Sequence, residues 1–77
     1  MPQVHMSGVR YGVRQAALTS ALQVYTGMGT IEARRVAGDV MAGTRRSVYL
    51  EDPDLAYNLA TELVSLGVNA EADESDY

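Results

Sequence analysis

The sequence predicts an α+β domain with the order β-α-α-β-α-β, a three-stranded antiparallel sheet carrying three helices on one face. Three observations predict it. Apolar residues recur at spacings of three and four in three segments, which is the helical period. They alternate with polar residues in three other segments, which is the strand period. Glycine or an Asp-Pro pair stands at the changes of period, where a chain must turn. One-sided strands and one-sided helices bury every apolar stripe if the helices cover a single sheet face.

The first strand is "QVHM", Gln3 to Met6, extending toward Val9, with Val4 and Met6 inward and His5 outward. Gly8 and Gly12 are expected to mark its exit. A helix follows from about Val13 to Tyr25 on the stripe Ala17, Leu18, Ala21, Leu22 and Tyr25, with Thr19, Ser20 and Gln23 turned away from it. Gly27 stops that helix in the manner of a left-handed cap. The second helix spans about Thr30 to Ala42, with Thr30 as N-cap, Glu32 in the positive first turn, and the stripe Ala33, Val36, Ala37, Val40 and Met41. Gly38 inside it predicts a close helix–helix approach, and Gly43 ends it. "RRSVYL", Arg45 to Leu50, reads as a strand with Val48 and Leu50 inward and Tyr49 outward beside His5. In "EDPD", Asp52 caps a third helix and Pro53 takes its first position. Leu55, Ala56, Leu59, Ala60, Leu63 and Leu66 line that helix, Gly67 closes it, and "VNAEAD" alternates as the last strand.

The 77 residues suffice for one domain, residues 1–73, with residues 74–77 as an acidic tail. The absence of cysteine excludes disulfides, thiol catalysis and cysteine-ligated metal. No apolar run is long enough for a signal peptide or a membrane span, so a cytoplasmic protein without a membrane partner is expected. All the basic residues are arginines, Ile31 is the only isoleucine and phenylalanine is absent, a bias that suits a GC-rich source such as an actinobacterium or one of its phages. The net charge of −4 is carried by the C-terminal end, and the preceding body is neutral. Overall charge therefore argues against non-specific nucleic-acid binding.

The turn "TGMGT", Thr26 to Thr30, joins two helices. A phosphate loop needs a longer glycine-rich stretch and a Lys-Ser/Thr pair, and a dinucleotide fingerprint needs a strand before its glycines. A tight corner fits better, with Gly27 left-handed, Gly29 opening the next helix and Met28 tucked beneath.

"TGMGTIEARRVAGDV" resembles the C-terminal domain of the bacterial ribosomal stalk protein, which carries T-G-L-G-L-K-E-A-K before an apolar helix. Thr26, Gly27, Gly29, Glu32 and Ala33 match, Met28 stands for Leu, and Arg34 for the last Lys. "DPDLAYNLATELVSLGVNAEAD" resembles the family's final helix and strand through Ala56, Leu59, Leu63 and Gly67. The resemblance covers roughly residues 4 to 73 and implies the same topology. It also implies a protein-binding face on the first two helices, which in the family recruits translational GTPases. The family's basic positions fall on Ser20, Gln23, Ile31 and Arg34, so only Arg34 keeps its charge, with Arg35 beside it. The chain is expected to be this domain alone, without the family's dimerisation segment and hinge. The ClpS-type adaptor of the Clp protease is a more distant resemblance, in "IEARRVAGDVMAGTRRSVYLED". Its degron pocket has no counterpart in "MSGVRYG".

The expected function is a small non-enzymatic protein-binding domain, a phage or accessory product that engages host translation or proteolysis machinery. The candidate protein-binding residues are Ser20, Gln23, Met28, Ile31, Arg34, Arg35 and Tyr49. The alternative is a nucleic-acid binder using Gly27 and Gly29 with Arg34, Arg35, Arg45 and Arg46, the arginines converging on one side. No catalytic residue, cofactor or metal is expected: His5 has no evident partner in the sequence, and Glu51, Asp52 and Asp54 suit helix capping. Tyr11, Tyr49 and Tyr77 are candidate interface anchors, and the open sheet face carrying Tyr49 and His5 is a candidate surface for a homodimer.

Overall fold

A computed structural model describes residues 2–10 and 12–73. The expected anchors Tyr11 and Tyr77 and the acidic tail at 74–77 lie outside the described residues. The elements are β1 (Gln3–Val9), α1 (Gln15–Thr26), α2 (Thr30–Met41), β2 (Arg46–Tyr49), α3 (Pro53–Leu66) and β3 (Val68–Asp73). Both pairings of the three-stranded sheet are antiparallel, as expected, and the strand order is β2-β1-β3. The helices cover one face. Of these, α2 and α3 lie against the strands, and α1 packs chiefly on α2 and α3.

One core joins the layers. Val4 and Met6 of β1, Val48 of β2 and Val68 of β3 meet Leu18 and Leu22 of α1, Val36 and Val40 of α2, and Leu59 and Leu63 of α3. These side chains are almost wholly removed from water, and burying each contributes roughly 1.5–3 kcal/mol. The alternation in β1 is strict, with Val4 and Met6 buried and His5 and Ser7 exposed.

Four details differ from the sequence reading. Gly8 does not end β1 but sits inside it. Between Met6, opposite Ala70, and Val9, opposite Val68, β1 holds one residue more than β3. This is a bulge, and Gly8 takes the φ of +104° that it requires. A Cβ on Gly8 would also lie 3.6 Å from the Cα of Gly43, so the loop before β2 passes close over the bulge. Thr19 is buried rather than turned outward, because its hydroxyl donates to the carbonyl of Gln15 at 2.8 Å and so enters the helix packing satisfied. Gly29, not Thr30, is the N-cap of α2, which frees the Thr30 hydroxyl to accept from Gln23 Nε2 at 3.0 Å. Gly38 marks no forced approach: a Cβ there would meet the Gln15 side chain of α1 at an ordinary 3.7 Å.

The third helix starts as expected. Asp52 Oδ1 accepts the Leu55 amide at 2.9 Å, and Pro53 fills the first turn, where an amide would lack a partner.

Candidate functional site

The corner between α1 and α2 is held by local hydrogen bonds. Gly27 has φ +74°, and its amide donates to Gln23 O at 2.9 Å, closing α1. The next amide, on Met28, donates to Thr26 Oγ1 at 3.2 Å. Two consecutive amides of the glycine turn are thus engaged within the chain, as a corner requires and a phosphate cradle does not. Met28 is half-buried and packs against the core under the turn.

Ser20, Gln23 and Arg34 come together here. With Gln15, Ala16, Thr19 and Thr30 they line a shallow groove of about 470 Å³ along the outer seam of α1 and α2. The Gln23–Thr30 hydrogen bond bridges this groove. Ile31 stands beside it, 72% exposed, and Val24 near the end of α1 is 78% exposed. Large aliphatic side chains this bare on the same helix pair are the main apolar feature of the corner. Val24 was not singled out in the sequence. It falls between the inward stripe and the polar side of α1, so its spacing carries no signal.

The arginines do not form one cluster. Arg34 lines the α1–α2 groove and Arg35 is exposed on α2. Arg46 lies opposite the inward-facing Met6 and donates to Asp39 of α2 at 2.5 Å, so its charge is met on the helical side. Arg45 instead borders the open sheet face, where it is joined by Arg10, a residue the sequence reading passed over. The physical reason is strand parity together with the bulge. Arg45, Ser47 and Tyr49 alternate to the outer face, whereas Arg46, which also borders the concavity, has its guanidinium held by Asp39 of α2.

That open face is a polar grid. The register sets Tyr49 and Asp73 on either side of Gln3, and Ser47 and Glu71 on either side of His5. Tyr49 is 61% exposed and lies on this face as expected. His5, however, has partners that the sequence did not announce. Its Nδ1 lies 2.6 Å from Ser47 Oγ, and its Nε2 lies 3.4 Å from Asp73 Oδ2. Residues 42 and 68 positions away in the chain supply these contacts, which only strand pairing brings together. The lower half of the face opens into a concavity of about 520 Å³ bordered by His5, Ser7, Arg10, Arg45, Ser47 and Asn69.

A third, smaller groove of about 290 Å³ lies between α3 and the edge of β3, lined by Tyr57, Ala60, Thr61, Val64 and Ala72. Among the described residues no group of three or more metal-ligating side chains converges, and no helix is long and apolar enough to cross a membrane. No protein-family model matches the chain, and no curated protein matches it.

Proposed function

We propose that this chain is a small protein-binding domain, without catalytic activity of its own, that docks through the α1–α2 corner. The observation that carries this reading is the pair Ile31 and Val24, two aliphatic side chains more than two-thirds exposed on adjoining helices of a small domain. Each is the sequence neighbour of a residue, Gln23 or Thr30, that lines the α1–α2 groove with Ser20 and Arg34, and these lining groups are hydrogen-bonding or cationic. An apolar anchor with a polar rim is the usual make-up of a protein interface. The resemblance of "TGMGTIEARRV" to the ribosomal stalk domain supports the same helix pair as the docking face. It also supports a component of the translation machinery as partner. A phage or accessory product acting on a host's translation or proteolysis machinery suits the arginine-only, isoleucine-poor composition.

Self-association through the open sheet face is the weaker reading, since its outward positions are polar apart from Tyr49. Nucleic-acid binding at the glycine corner is weaker still, because the Gly27 and Met28 amides are engaged and Arg34 lies apart from Arg45.

The test is affinity capture by the tagged protein from nuclease-treated lysate of a GC-rich bacterium, run beside the Ile31→Asp variant. Translation or protease components retained by the wild type and lost by the variant support the proposal. Partners that vanish with nuclease, or that bind the variant equally, would overturn it.

A further inference from the structure

The open sheet face holds unspent positive charge at one end. Arg10 follows β1 and Arg45 precedes β2, and both border the same concavity. The backbone fixes them there. The Arg10 amide donates to Gly67 O at 2.7 Å, and the loop leading to Arg45 packs over the Gly8 bulge. Among the described residues the ion pairs are His5–Asp73 and Arg46–Asp39, so neither Arg10 nor Arg45 has a carboxylate partner. The same concavity is bordered by the Ser7 and Ser47 hydroxyls, the Asn69 amide and Arg46, whose guanidinium is already held by Asp39, together with the apolar Met6, Val64 and Ala70. Two guanidinium groups without a carboxylate partner, sharing a concavity with hydroxyl and amide donors, match the demands of a tetrahedral oxyanion.

We propose that the Arg10–Arg45 end of the open sheet face binds a phosphate-type dianion and that protonation of His5 strengthens this binding.

The linkage follows from the inventory of donors. In a neutral imidazole one ring nitrogen donates and the other accepts. The Asp73 carboxylate can only accept, so the neutral tautomer that satisfies both contacts carries its hydrogen on Nε2 and accepts on Nδ1 from the Ser47 hydroxyl. Ser47 therefore spends its hydrogen on His5. Once His5 is protonated, Nδ1 donates to Ser47 Oγ instead, and the hydroxyl hydrogen is released to point into the concavity. Protonation thus adds a positive charge beside the site and turns one lining group from spent to available. The charged and titratable groups around His5 are Asp73 and Glu71 of β3, Arg10, Arg45 and Arg46 around the concavity, and the Tyr49 phenol on the same face. Glu71, opposite His5 on β3, borders the concavity across β1 from Arg45 and opposes an anion there.

His5 is the only histidine, so its ring protons give an unambiguous NMR signal. The full chain is titrated in sodium sulfate and in sodium chloride of equal ionic strength, sulfate being a dianion that does not itself titrate in this range. The expected result is a His5 midpoint at higher pH in sulfate, with sulfate bound about fivefold more tightly below the imidazole range than above it. Amide shifts should concentrate at Ser7, Arg10, Arg45, Ser47 and Asn69. Arg10→Gln with Arg45→Gln should abolish both responses, whereas Glu71→Gln should tighten binding. His5→Gln should keep the amide shifts and lose their pH dependence. Inorganic phosphate compared with glycerol phosphate then separates the two sources: tighter binding of the ester assigns a phosphorylated small molecule, and tighter binding of the ion assigns free phosphate. Equal midpoints in the two salts, amide shifts spread over α1 and α2, or a pH dependence that survives His5→Gln would overturn the proposal.

Discussion

The α1–α2 corner and the open sheet face solve the problem of being exposed in opposite ways. At the corner the backbone is satisfied locally, Gly27 through Gln23 and Met28 through Thr26, while Ile31 and Val24 stand in water uncovered. On the sheet face the side chains satisfy one another across strands, with His5 tied to Ser47 and Asp73, and no large aliphatic group is left bare there. The corner thus leaves apolar surface in contact with water. The sheet face keeps its hydrogen bonds at home and leaves charge over at Arg10 and Arg45. Surfaces of the two kinds respond to different perturbations: burial of Ile31 and Val24 is governed by apolar area and depends little on salt, whereas an arginine site weakens as salt screens it.

The largest expected effect tests whether the two regions stand on one core. Leu22→Ala lies beneath the corner and Met6→Ala beneath the sheet face, and both side chains are almost fully buried. Each should cost about 2–5 kcal/mol, and in each variant helix and sheet signals should be lost in a single urea transition. Separate transitions would mean that the corner and the sheet are independent units. Next comes Gly27→Ala, which places a Cβ at φ +74° with open space around it. The strain alone should cost roughly 1–2 kcal/mol by urea denaturation and should leave the His5 ring-proton shifts on the sheet face unchanged. Asp52→Ala removes the hydrogen bond to the Leu55 amide, in neither the α1–α2 groove nor the Arg10–Arg45 concavity, and should cost about 1 kcal/mol with no change in partner capture or sulfate binding. Smallest in stability is Ile31→Asp, expected within about half a kcal/mol by denaturation because the side chain contributes little to the core. Its effect should be read in partner capture alone. A large loss of stability there would show that Ile31 is a packing residue and would remove the contrast.

The element order was legible because each segment carries its own period and its own punctuation. The Asp52–Pro53 start of α3 and the Gly27 stop of α1 are written in adjacent residues. Thr19 was misread because a threonine looks polar in a list, while its hydroxyl can be satisfied by its own helix. Gly8 was misread because a glycine that ends a strand and one that bulges it look alike until the partner strand is placed beside them.

Of the candidate surfaces, the corner was the more readable. Ser20, Gln23, Met28, Ile31 and Arg34 lie within fifteen residues of one another on two helices joined by a short turn, so local periodicity almost suffices to group them. The sheet face could not be read this way. His5, Ser47 and Asp73 come from three strands, and Arg10 and Arg45 from the ends of two.

By itself the sequence determined the periods, the caps and the inward stripes, and through them an α+β domain with one open sheet face. These follow from interactions among residues a few positions apart, where backbone geometry and polarity act directly. Only the tertiary structure decided which arginine met Asp39 and which came to border a concavity without a carboxylate partner, and which hydroxyl and carboxylate came to His5. Those pairings depend on strand order and register. A shift of one residue in the pairing of β1 with β2 would turn Ser47 away from His5 and put Arg46 in its place.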